Sequence, residues 1–105
     1  MAAPSVRLIQ AWSRAGLNSK RQEVRKVEIY GGTGGDDTDA ITAASLSLNV
    51  IEEATVATYG NAGYMAAPNA DGSNLWLFNP ASPTAPSAVA IGGTPNGLYV
   101  IVSGY

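Results

Sequence analysis

Short β-type runs, nearly all halted by glycine or proline, decide what this chain can become. Glu23–Tyr30 ends at Gly31, Asn49–Tyr59 at Gly60, Tyr64–Ala67 at Pro68, and Ala88–Ile91 at Gly92. Leu75–Phe78 runs into Asn79-Pro80, and Leu98–Val102 lies almost at the C-terminus. Within Glu23–Tyr30, Val27 and Ile29 alternate with Glu28 and Tyr30, the period of a strand with two unlike faces. Asp71-Gly72, between two apolar runs, is a hairpin signal. About six short strands at spacings near ten residues predict an all-β fold, a compact sandwich or barrel. One short helix is predicted over Ile41–Leu46, with Asp36, Asp37, Thr38 and Asp39 supplying an N-cap. Leu75-Trp76-Leu77-Phe78, four bulky residues in a row, predict a core strand buried on both sides. An aromatic contact patch at Trp76 and Phe78 is the alternative. Pro80, Pro83 and Pro86 recur every third residue, a spacing compatible with polyproline II.

Ahead of these runs the pattern changes. All six basic residues, Arg7, Arg14, Lys20, Arg21, Arg25 and Lys26, fall in the first 26 positions, and all seven charged residues after Lys26 are acidic. Residues 1–22 lack a β-branched run and alternate little. They divide the chain into a basic, extended N-terminal arm, 1–22, and a single β domain, 23–105. An arm of this kind takes its structure from what it touches. Trp12 within it is costly to leave in water and supplies an apolar anchor. The arm residues Arg7, Trp12, Arg14, Lys20, Arg21, Arg25 and Lys26 are therefore the predicted partner-binding set. Met1-Ala2-Ala3-Pro4-Ser5 has no apolar core of the signal-peptide kind.

Composition narrows the chemistry. The 105 residues include no cysteine and no histidine, which removes disulfides, thiolate nucleophiles and the commonest general base. No run approaches the ~20 apolar residues needed to span a bilayer, so no membrane partner is expected. Charged residues make up only 13% of the chain, about half the share in a typical soluble domain. A surface so poor in charge favours association, and a homo-oligomer is expected.

Each candidate catalytic or ligand motif has a plainer reading. Gly31-Gly32-Thr33-Gly34-Gly35, a run expected to carry no regular element, follows a strand as a phosphate loop would, yet the lysine and Ser/Thr of that motif are missing and aspartates arrive instead. Asp36, Asp37 and Asp39 lack the alternating ligands and distant bidentate acid of a calcium loop, so no metal is assigned. Glu52 and Glu53, adjacent on a strand, are predicted to diverge to opposite faces and not to form an acid–base pair. The expectation is a protein that is not an enzyme and uses no cofactor.

From Glu28 onward the chain resembles small virion proteins of tailed bacteriophages. The likeness rests on Gly34-Gly35-Asp36-Asp37-Thr38 leading into Ile41-Thr42-Ala43-Ala44, and on Ile51-Glu52-Glu53-Ala54. Asp71-Gly72-Ser73-Asn74-Leu75-Trp76-Leu77-Phe78 and the ending Gly97-Leu98-Tyr99-Val100-Ile101-Val102-Ser103-Gly104 complete it. The resemblance implies a compact β domain that decorates or cements a capsid as an oligomer bound to the major capsid protein. It also implies location on the virion surface after synthesis in the host cytoplasm. A tail, neck or fibre component is the alternative within the virion. A nucleic-acid-binding module using the basic arm is disfavoured, because the acidic body opposes a phosphate backbone.

Overall fold

A computed structural model describes residues 3–15, 21–56 and 64–105. The described residues form nine strands: β1 Ser5–Ala15, β2 Arg21–Tyr30, β3 Gly32–Gly34, β4 Ile41–Thr42, β5 Ile51–Val56, β6 Met65–Pro68, β7 Asn74–Phe78, β8 Val89–Ile91 and β9 Leu98–Gly104. They form an antiparallel four-stranded sheet in the order β1-β2-β9-β5, a three-stranded sheet β4-β7-β6 and a two-stranded β3-β8 pair. The fold is all-β, as the punctuated runs predict.

One apolar cluster joins the sheets. The large sheet contributes Val27, Ile29, Ile51, Leu98, Val100 and Val102, and the three-stranded sheet contributes Ile41, Leu75 and Leu77. Leu46, Leu48, Val89 and Ile91 close the sides. The spacing of two in Val27/Ile29, Leu75/Leu77 and Leu98/Val100/Val102 is the alternation of strands with one face inward. On β7 the outward Trp76 and Phe78 are half-buried and meet edge to face at 6.3 Å, so the strand is not enclosed on both sides.

Four expectations are corrected. First, residues 5–15 are not an independent arm. They form β1, paired along its length with β2 from Ser5↔Tyr30 to Ala15↔Arg21. A bulge at Ile9, between the pairs Leu8↔Val27 and Gln10↔Lys26, inserts one extra residue and switches which positions face inward. Second, the glycine run is not free of regular structure. Gly32–Gly34 pairs with β8, and a Cβ at Gly32 would stand 2.6 Å from the nitrogen of Pro4. Glycine is what lets the N-terminal segment lie against β3.

Third, the predicted helix shrinks to a 3-10 turn at Ala44–Leu46, because Ile41 and Thr42 pair with Leu75 and Asn74 and too few residues remain to nucleate a helix. Asp36 caps its own loop instead, accepting from the amides of Thr38 and Asp39. Fourth, the proline-rich loop turns on itself. The Ser82 amide donates to the Asn79 carbonyl, and the Ala81 amide donates to the Asn79 side chain.

Candidate interaction surface on the N-terminal hairpin

Register places the side chains of the four-stranded sheet in cross-strand rows. On the core face, Val6, Ile29 and Leu98 form one row and Leu8, Val27, Val100 and Val56 the next. On the outer face the first row is Arg7, Glu28 and Tyr99. The second is Gln10, Lys26, Ile101 and Thr55, and the third is Trp12, Val24, Ser103 and Glu53. Arg14 and Gln22 end the face.

The first row is closed over. Glu28 sits on the outward side of a strand yet has 0% exposure. Its Oε1 accepts from Arg7 Nη2 at 2.8 Å, Arg7 Nε at 3.0 Å and the Thr94 hydroxyl. Its Oε2 accepts from the Gly97 amide at 3.0 Å. The loop before β9 thus folds over the carboxylate, and the Tyr99 hydroxyl donates to the Pro95 carbonyl at 2.9 Å. Burial pushes the Glu28 carboxyl up, but the bonds from Thr94, Arg7 and Gly97 outweigh it and hold the group below its ordinary range. The same contact raises Arg7, while burial and the nearby Glu28 charge raise Tyr99.

At the far end the outer face is a solvent-exposed polar network. Arg14 donates to Glu53 and to Gln22, each at 2.6 Å, and Gln22 donates to Glu52 at 3.3 Å. Ser103 donates to Glu53 at 2.8 Å. Glu52 and Glu53 therefore do not diverge: a bulge between Ile51 and Glu53 interrupts the alternation, and both carboxylates reach the same side. Both are tied to cation or amide donors, so their arrangement is a surface network.

The predicted partner-binding residues separate into groups. Arg7 is held by Glu28 and Arg14 by Glu53. Arg25 lies 3.7 Å from Glu23 with its side chain 14% exposed, and Arg21 reaches the same carboxylate at 4.0 Å while remaining open to solvent. Lys26 is half-buried in the second outer row, and Lys20 lies outside the described residues. Trp12 is 39% exposed opposite Val24, which is 2% exposed despite facing outward. Four of the six cations thus face carboxylates of their own chain.

Sequence reasoning singled out Trp12 as an apolar anchor but did not assign Leu8 and Ile9 to the contact surface. Four large hydrophobic side chains are exposed among the described residues, and three of them, Leu8, Ile9 and Trp12, stand on β1. The outer edge of β1 also has no paired strand among those residues. Regarding the aspartates, Asp37 accepts from Trp76 Nε1 at 2.8 Å and from Asn74 Nδ2 at 3.2 Å. Among the described residues no group of three or more acids is placed to hold a metal ion, and no helix is long and apolar enough to cross a membrane. No protein family, curated protein or solved structure matches the chain.

Proposed function

We propose that this chain is a structural virion protein, a capsid decoration or cement protein that stabilises a shell by binding major capsid subunits and neighbouring copies. The observation that carries this reading is the concentration of exposed Leu8, Ile9 and Trp12 on one edge strand. Apolar side chains beside an open backbone ladder are a liability in a free monomer and an asset in an assembly. A lattice needs only one modest contact per copy, since repetition multiplies it. A tail, neck or fibre subunit would use the same surface. The nucleic-acid reading loses support, because Arg7, Arg14, Arg21 and Arg25 each face a carboxylate within the chain.

Deleting residues 1–22 is not a clean test, because it removes all of β1 and uncovers Val24 and Glu28. Trp12→Lys keeps the strand and places a charge at the contact. Its occupancy on purified particles is expected to fall by about tenfold, with the far-UV spectrum unchanged. Undiminished decoration by that variant would sink the surface assignment. Counting copies per particle by quantitative mass spectrometry separates the shell reading from the neck reading: a shell protein is present in the hundreds, a neck protein in a single small ring.

A further inference from the structure

We propose that β1 pairs antiparallel with β1 of a second copy, across a two-fold axis passing beside Gln10. The proposal rests on the assembly reading and names the first partner in it.

The two edges of the large sheet are not equivalent. β5 is the opposite edge, but its Ile51 amide already donates to the Gly72 carbonyl at 2.8 Å, and the turn before β7 stands against it. β1 has no such cover among the described residues. With one edge open and the other blocked, head-to-tail growth stops, and a self-complementary closed pair is the contact left to an open ladder. Charge restricts the register rather than the pairing: Arg7 and Arg14, the two cations of β1, each lean on a carboxylate of their own copy yet stay about half exposed, at 47% and 49%.

Register selects the axis. A two-fold that makes strands antiparallel in one sheet is perpendicular to that sheet, so facing residues must come from the same face. The Ile9 bulge puts Val6, Leu8, Ala11 and Ser13 on the core face and Ser5, Arg7, Gln10, Trp12 and Arg14 on the outer one. Pairing about Gln10 sets Leu8 opposite the partner's Ala11, Trp12 opposite the partner's Arg7, and Arg14 opposite the partner's Ser5. It brings about nine residues of each strand into the ladder. The next register of equal length sets Arg7 opposite the partner's Arg14, twice, and like charges directly opposed destabilise a pair. Registers further along shorten the ladder. The pairing at Gln10 also places an arginine beside an indole across the strands.

The absence of native cysteine makes the test direct. Gln10→Cys puts one thiol per chain on the axis, where it meets its own symmetry mate. Under mild oxidation it is expected to form a covalent dimer at least about tenfold faster than Met65→Cys, an exposed position on the other sheet, because the paired thiols share a high effective concentration. Light scattering on the unmodified protein is expected to give twice the 10.8 kDa chain mass. Trp12→Lys, which sets a second cation against the partner's Arg7, is expected to return the monomer. A monomer at about 100 μM, well above micromolar dissociation constants, overturns the proposal. Equal rates for the two cysteine variants, or a dimer that Gln10→Cys does not trap, overturn it as well. Efficient trapping in a protein that is missing from purified particles would uphold this pairing and defeat the virion reading instead.

Discussion

Replacing Glu28 with glutamine is expected to lower unfolding stability by about 3 kcal/mol, the low end of what breaking one side of a buried ion pair costs. The carboxylate has no exposed surface and accepts four hydrogen bonds, two from Arg7, one from Thr94 and one from Gly97. An amide presents one acceptor oxygen, so its NH2 group must meet a donor where an acceptor stood. The Arg7 side chain is 47% exposed and can regain water, which keeps the loss from being larger. Equilibrium urea unfolding is the measurement: the midpoint falls while the slope stays constant.

The substitution should also change the response to acid. The Glu28 carboxyl is held below its ordinary value of 4.5 in the folded chain. Its ionised form therefore contributes stability that is complete above that value and drains away as pH falls through the lower folded one. Wild type is expected to lose stability faster than Glu28→Gln in that acid window, so the two curves converge at low pH. Curves that stay parallel would mean the charge of Glu28 contributes nothing.

That carboxylate shows why part of the fold was legible in sequence and part was not. Val27/Ile29, Leu75/Leu77 and Leu98/Val100/Val102 repeat with period two, and each run became an inward-facing strand near its predicted place. Local alternation reports local burial. Glu28 obeys the same alternation and points outward, but it is sealed by Thr94 and Gly97, 66 and 69 positions further along. No local pattern announces a lid that distant.

β1 was lost for a different reason. The residues on its core-side face, Val6, Leu8, Ala11 and Ser13, change parity at the Ile9 bulge and all but Val6 are exposed, so a strand reads as an aperiodic arm. The charge segregation misled in the same way. It is a property of the linear chain, and the hairpin and the four-strand order bring Arg7 to Glu28 and Arg14 to Glu53. What composition did convey was a surface poor in charge, but not that three of the four large apolar side chains exposed among the described residues would stand on β1, beside its arginines.

Gly104→Ala is expected to destabilise the protein about as severely as the loss of Glu28, by roughly 3 kcal/mol, the upper part of the overpacking range. Gly104 faces Ile51 at the end of β9, where the Tyr105 amide donates to the Val50 carbonyl at 3.1 Å and the Tyr105 carbonyl accepts from Val50 at 2.8 Å and Asn49 at 2.9 Å. A Cβ on Gly104 would lie 1.8 Å from the Val50 oxygen and 3.2 Å from the Glu52 amide nitrogen, both backbone atoms that no rotamer change can move. Either β5 shifts away from β9 or the last residues detach, and both outcomes sacrifice the hydrogen bonds that tie down the C-terminus. For a chain of this size the melting temperature should drop by about 15 °C. Gly93→Ala is the matched control, because a Cβ there meets nothing within 4 Å. It should change stability by no more than about 0.5 kcal/mol. Hydrogen exchange would locate the damage in Gly104→Ala, with protection lost first at Val50 and Tyr105 and retained at Val27 and Val100. Equal melting temperatures for the two alanine variants would show that the β5–β9 junction has room the packing does not reveal, and that the sheet edge opposite β1 is not firmly closed.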